Sequence, residues 1–153
     1  MANTTHLQLQ KINSSDFVSP DPINANMDKL DALGVDYIIQ QGTSGEWWYR
    51  KWKSGRAECG VDNKNFGAAT LQAWGNIYSS YNGFSFGAFP FAFKRAPFVS
   101  IASSSTNNSA FYGIAVMGST SPTTLSPRFD LWRADKVDIS KAIVSIFATG
   151  FYK

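Results

Sequence analysis

The sequence predicts an all-β chain: an antiparallel β-sandwich preceded by one short α-helix. Three observations carry this. Helical periodicity stops at Gly34. Beyond it come short β-branched and aromatic runs broken by Gly, Ser, Thr and Asn. One stretch, Glu46–Gly60, EWWYRKWKSGRAECG, has the alternation of a β-hairpin.

Residues 1–19 are polar, with Leu7, Leu9 and Ile12 in loose alternation, and no strong element is expected there. PDPINANMDKLDALG follows. Asp21 suits an N-cap, Pro22 the first helical position and Gly34 the left-handed C-terminal position. Ile23, Met27 and Leu30 form an apolar seam, spaced by four and then three. A helix of about a dozen residues is marginal alone in water, so this seam must dock. It can pack on its own domain or form a short multi-chain neck. Residues 1–34 are therefore read as an attachment segment with a helix, and 35–153 as the β-sandwich.

Strands are expected at Val35–Gln40, Leu71–Tyr78, Phe84–Phe86, Phe89–Phe93, Val99–Ala102, Phe111–Met117, Arg128–Trp132 and Ala142–Thr149. In GFSFGAFPFAF, Phe84 and Phe86 share one parity and Phe89, Phe91 and Phe93 the other. No regular strand puts all five on one face, so a break is expected at Gly87–Ala88. The phenylalanines then fill the core. SSSTNNS (103–109) and STSPTTLSP (119–127) are long polar connections, expected to form the host-facing surface.

The hairpin can be counted. With Ser54–Gly55 as a two-residue turn, Trp52 opposes Ala57, Lys51 opposes Glu58, Arg50 opposes Cys59 and Trp48 opposes Val61. Opposed residues project to one side. Trp48, Trp52, Ala57, Cys59 and Val61 then form the core face, with Arg50 over a tryptophan. Trp47, Tyr49, Lys51 and Glu58 face outward. Cys59 becomes a small buried residue rather than a nucleophile.

Composition narrows the function. There is one cysteine and one histidine, His6, so neither an intrachain disulfide nor a His/Cys zinc cluster can be assembled. A Ser–His–Asp triad would have to use His6. Glu46 and Glu58 are the only glutamates, and no Asp or Glu occurs between Asp62 and Asp130. No enzyme, metal or cofactor is expected. The net charge of +3 is too small to argue for nucleic acid. No apolar run approaches the roughly 18 residues of a membrane span, and MANTTHLQLQKIN lacks the apolar core of a secretory signal.

WWYRKWKSGRAECG resembles the W-x-Y-R-K-W-x-S-G-x-A-E-C pattern of tail-fibre and other receptor-binding proteins of bacteriophages and prophages. INANMDKLDALGVDYIIQQGTSG resembles their lead-in, FPFAFKRAPFVSIASSS their F-P-x-x-F-x-x-A-P-x-V run, and IVSIFATGFY their closing strand and, more loosely, that of H-type lectins. The resemblance covers roughly residues 23 to 153. It implies a homotrimeric virion protein with a helical neck and a β-sandwich head that touches the host surface. H-type lectins often carry an acidic residue just after the A-P-x-V strand. This chain has Ser103–Ser105 there, so no lectin site is carried over.

The expectation is a non-enzymatic tail-tip or fibre protein. It would bind a bacterial surface glycan through a trimer and other virion proteins through its N-terminal segment. Aromatic faces and amides suited to sugars are Trp47, Tyr81, Asn82, Asn107, Asn108, Tyr112 and Trp132; Ile23, Met27 and Leu30 would line the oligomer interface. The rivals are a structural virion decoration without a receptor, and a polysaccharide-degrading enzyme using two carboxylates from Asp130, Asp135, Asp138 or the glutamates.

Overall fold

A computed structural model describes residues 20–32, 36–81, 83–103 and 112–153. The chain divides into two units, Met1–Tyr37 and Ile38–Lys153. The first contains α1, Pro20–Ala32. The helix begins at Pro20, which places Asp21 inside the first turn rather than at the cap. Gly34 lies outside the described residues. Ile23 and Met27 are 46% and 53% exposed, and Leu30 is half-buried.

The second unit is an all-β sandwich of two antiparallel sheets. Its strands are β1 Ile38–Ser44, β2 Trp47–Trp52, β3 Arg56–Ala69, β4 Gln72–Trp74, β5 Ile77–Ser79, β6 Phe98–Ser103, β7 Gly113–Val116, β8 Phe129–Arg133 and β9 Ile139–Phe151. One sheet runs β1-β2-β3-β9-β6 and the other β4-β5-β8-β7. Their inner faces share one core. Cys59, Val61, Val144, Ile146 and Ala148 come from the larger sheet, and Phe129 and Leu131 from the smaller.

The hairpin forms, but its register differs by one residue from the expected one. Trp48 opposes Gly60, Tyr49 opposes Cys59, Arg50 opposes Glu58 and Lys51 opposes Ala57. The loop holds three residues, Lys53–Gly55. The Gly55 N–H donates to the Trp52 carbonyl at 3.0 Å, and Gly55 adopts a φ of 91°. A turn followed by a left-handed glycine adds one residue to the loop, and one residue reverses the facing of β2. Trp47 is therefore buried, 6% exposed, against Phe86 and Phe89. Trp48 lies on the outer face beside Phe147, with the Arg50 guanidinium 5.8 Å from its ring centre. The ion pair to Glu58 is made by Arg50, not Lys51. Ala57, Cys59 and Val61 stay inward because the loop change does not alter parity within β3.

The β3 strand changes its inward parity twice. Irregularities interrupt its pairing with β9 between Val61 and Lys64, and again on either side of Gly67. At the first, Asn63 takes a φ of 53° and its N–H donates to the Ser145 hydroxyl at 2.8 Å. The inward set passes from Ala57, Cys59 and Val61 to Phe66, then back to Ala69. Phe66 meets Phe84, Phe86 and Phe129 with ring centres 5.1–5.4 Å apart.

The phenylalanine run forms no strand. It makes only the isolated bridges Phe84–Phe129 and Ala88–Leu125. Gly87, at a φ of 82°, breaks the run, and all five phenylalanines reach the core or pack against it. The Ser119–Pro127 segment is anchored to the phenylalanine run. Thr123 and Thr124 carbonyls accept from Phe93 and Phe89 N–H groups, and the buried Ser126 hydroxyl accepts from Phe86. Leu71–Tyr78 is a hairpin, not one strand. Gly75, at a φ of 60°, starts the two-residue turn between Trp74 and Ile77.

Gly60 lies where Trp48 crosses the β3–β9 ladder. A Cβ there would sit 2.7 Å from the Trp48 ring and 2.8 Å from the Ile146 carbonyl oxygen. Gly60→Ala is expected to destabilise the fold by roughly 1–3 kcal/mol, read as a lower urea midpoint. An unchanged midpoint would contradict this packing.

Candidate functional site

The smaller sheet presents an outer face that carries two tryptophans, Trp74 and Trp132. Directly opposed pairs fix which residues share it: Trp74 with Ile77, Ser79 with Trp132, Trp132 with Gly113, and Asp130 with Ala115. Phe129 and Leu131 alternate with these and point into the core.

A cleft of about 250 Å³ on this face is lined by Trp74, Ser79, Tyr81, Ala115, Met117 and Asp130. Trp74 is 56% exposed and Tyr81 52%. Their rings meet edge to face, with centres 6.5 Å apart and planes at 69°. They form two walls of a corner, with Asp130 among the other lining groups.

The segment after β5 builds this corner. Ser80 is buried; its N–H donates to the Leu131 carbonyl at 2.9 Å, and its hydroxyl accepts from the Leu131 N–H at 3.1 Å. Asp130 Oδ1 accepts from the Ser80 hydroxyl at 3.2 Å and the Gly83 N–H at 2.8 Å. Its Oδ2 receives no hydrogen bond from the described residues. Between these anchors Tyr81 adopts a φ of 52°, a left-handed conformation that tyrosine rarely takes. Residues held in such regions persist only where their surroundings over-determine them. Here the clamp on Ser80 and Gly83 does so, and Tyr81 projects beside Trp74.

Of the expected site residues, Tyr81 lies in this cleft. Trp132 shares the sheet face two residues along from Asp130, with its ring against Gly113, where any Cβ would collide with it. Tyr112 is half-buried, and its hydroxyl donates to the Ile143 carbonyl at 2.9 Å while accepting from the Ile143 N–H at 3.1 Å. That clasp fastens Tyr112 to β9. Burial raises its phenol pKa, with the Ile143 bond acting the other way, so the hydroxyl keeps its proton at neutral pH. Trp47 belongs to the core. Asn82, Asn107 and Asn108 lie outside the described residues.

Five of the six lining residues were not among the expected glycan contacts: Trp74, Ser79, Ala115, Met117 and Asp130, the last named only as a carboxylate of the enzyme rival. The Gly75–Asn76 pair was the available signal for Trp74, because a two-residue turn there starts a hairpin and exposes its flank. Asp130 had no local signal. Its neighbours Ser80 and Gly83 come from a segment about 50 residues earlier.

No group of three or more His, Cys, Asp or Glu side chains among the described residues is arranged to hold a metal ion. Among those residues no helix is long and apolar enough to cross a membrane. No protein-family model, curated protein or solved structure matches this chain.

Cys59 is a free thiol, fully buried between strands. Burial, and secondarily the charge of Glu58, push its thiol up to about 12 from 9.0. Native protein should therefore resist thiol labelling at neutral pH and react only on unfolding. An unfolded chain ionises this thiol near 9.0, while the folded one resists until about 12. Its contribution to stability is intact below pH 9.0 and is lost as pH rises through that window. Cys59→Ala should flatten the alkaline fall of the melting temperature; fast labelling of the folded protein would contradict the structural role.

Proposed function

We propose that the chain is a phage virion protein, of a tail tip or fibre, that binds a bacterial surface glycan as a homotrimer without catalysing a reaction. The observation that carries the glycan reading is the Trp74–Tyr81 corner with Asp130 in one cleft. Sugar rings offer apolar C–H faces and hydroxyl edges. A binding site for them combines exposed aromatic surface with a few fixed polar groups. Trp74 and Tyr81 supply the first. Asp130, held from behind by Ser80 and Gly83, supplies an acceptor for hydroxyl protons. The resemblance of Trp47–Cys59 and its flanking runs to phage receptor-binding proteins supports the virion context.

The cleft lining includes one carboxylate, Asp130. Glycoside hydrolysis in its common forms needs two facing carboxyl groups, so this lining favours binding over cleavage. A single shallow site of this kind is weak, and repetition around a trimer raises its strength through effective concentration. The exposed Ile23 and Met27 with Leu30 on α1 supply the seam for such an assembly, and the polar segment before it would attach to other virion proteins.

A glycan array with purified protein tests the first part. Binding of bacterial surface saccharides is expected, and Trp74→Ala with Tyr81→Ala should weaken it at least tenfold while the melting temperature moves by only a few degrees. Binding that survives both changes would remove the cleft from the function.

Light scattering tests the second part. A mass of three chains is expected at micromolar concentration. Met27→Asp with Leu30→Asp should lower it without altering the β-sheet signal in circular dichroism. A wild-type monomer would refute the trimer and its avidity together.

A further inference from the structure

The larger sheet carries a second cleft, of about 400 Å³, lined by Lys94, Arg95, Ala96, Phe98, Thr149, Gly150, Phe151 and Lys153. It lies on the outer face of that sheet. Phe98 opposes Thr149, and Thr149 and Phe151 share one parity of β9, opposite to the buried Val144, Ile146 and Ala148. Phe98 is 68% exposed and Phe151 57%, the two most exposed large hydrophobic side chains among the described residues.

The side-chain charge around these rings is one-sided. Lys94, Arg95 and Lys153 line the cleft and form no ion pair with a described residue. Arg56 stands opposite Phe151 across the β3–β9 ladder and adds a fourth cation, its guanidinium 5.2 Å from the Trp52 ring centre. The acid nearest in register is Glu58, opposite Thr149, and it is paired with Arg50 at 3.5 Å. Lys94 and Arg95 also fall in the stretch between Asp62 and Asp130 that holds no Asp or Glu.

The cleft is fixed in place by backbone. The Lys94 N–H donates to the Phe151 carbonyl at 2.7 Å, and the Tyr152 N–H donates to the Gly55 carbonyl at 2.9 Å. Gly150 keeps the floor close to Phe93 and Pro97, and a Cβ there would lie 3.1–3.3 Å from both.

From this geometry we infer that the cleft binds an anionic saccharide unit, with its acid group between Lys94, Arg95 and Lys153 and its ring against Phe98. Uncompensated cations attract an anion, and a neighbouring ring face suits the apolar side of a sugar rather than a bare ion. The acid group is a carboxylate or a phosphate, because an ammonium and a guanidinium accept either. Single-stranded nucleic acid is the less fitting occupant: it takes a groove that tracks several nucleotides, whereas the basic residues here surround one cleft. The site lies on the opposite sheet from the Trp74–Tyr81 corner. It extends the surface-glycan reading to acidic polysaccharide without depending on the first cleft.

Calorimetric titration tests it with three trisaccharides of equal length: a galacturonate, a phosphorylated glucan and a neutral glucan. Either acidic sugar should bind at least tenfold more tightly than the neutral one, the tighter identifying the acid group, and binding should weaken as salt rises. Lys94→Ala with Arg95→Ala should weaken it at least tenfold, as should Phe98→Ser. Both alter exposed side chains and should leave the melting temperature within a few degrees. Trp74→Ala should leave acidic-sugar binding unchanged, which separates this site from the first. The inference is overturned if neither acidic sugar binds, if binding survives the Lys94 and Arg95 changes, or if a single-stranded oligonucleotide binds more tightly than both sugars and is lost with those changes.

Discussion

The pairing of β3 with β9 is the constraint on which the rest of the structure depends. These are the two longest strands, 14 and 13 residues, and they run antiparallel in the interior of the larger sheet. Their ladder begins with Arg56 opposite Phe151 and ends with Ala69 opposite Ile139. At one end the Tyr152 N–H closes onto the hairpin loop at Gly55. At the other, Asp138 Oδ1 accepts from the Leu71 N–H at 2.8 Å, where the chain leaves for the smaller sheet. A perfectly regular ladder would keep one parity inward throughout. The irregularities at Asn63 and Gly67 break that rule, and so Phe66 enters the aromatic centre formed by Phe84, Phe86 and Phe129.

This aromatic centre joins the two sheets. Edge-to-face ring pairs contribute beyond the area they bury, about 0.5–1.5 kcal/mol each. They also have preferred geometries, so they orient the sheets as well as hold them. The cost is an irregular path for residues 84–93, which gain few strand hydrogen bonds. The Ser119–Pro127 segment compensates by giving its Thr123 and Thr124 carbonyls and the Ser126 hydroxyl to that path. A polar, glycine-free connection of this composition looks like a free loop until the donors it must satisfy are known.

With the inner faces occupied by the core, the exposed rings of the sandwich lie on the outer ones. Each sheet carries exposed aromatic rings next to charge: Trp74 and Tyr81 beside Asp130 on one, Phe98 and Phe151 beside Lys94 and Arg95 on the other. Isolated exposed apolar residues are ordinary, but large rings gathered around a concavity are not. The left-handed backbone at Tyr81 adds weight to the first site, since the chain holds an unfavourable conformation that keeps this ring beside Trp74. The side chains lining the two clefts differ in charge, Asp130 in one and Lys94, Arg95 and Lys153 in the other.

The sequence by itself determined the class of fold, a helix near its start and the inward set Ala57, Cys59 and Val61, because periodicity and turn residues are local properties. It also foretold the break at Gly87 and the burial of the phenylalanines, since five rings of mixed parity admit few solutions. Tertiary structure decided the rest. One extra residue in the Lys53–Gly55 loop moved Trp47 from the outer face to the core, and no pattern within the strand distinguishes a two-residue from a three-residue turn. Asp130 became a site residue only when Ser80 and Gly83 closed around it from a distant segment. The basic cleft likewise needed Lys94 and Arg95 to meet the end of β9. Hydrophobic alternation records which side of a strand is inward, but the register between strands is settled by loop length and bulges. Which outward residues become neighbours follows from that register.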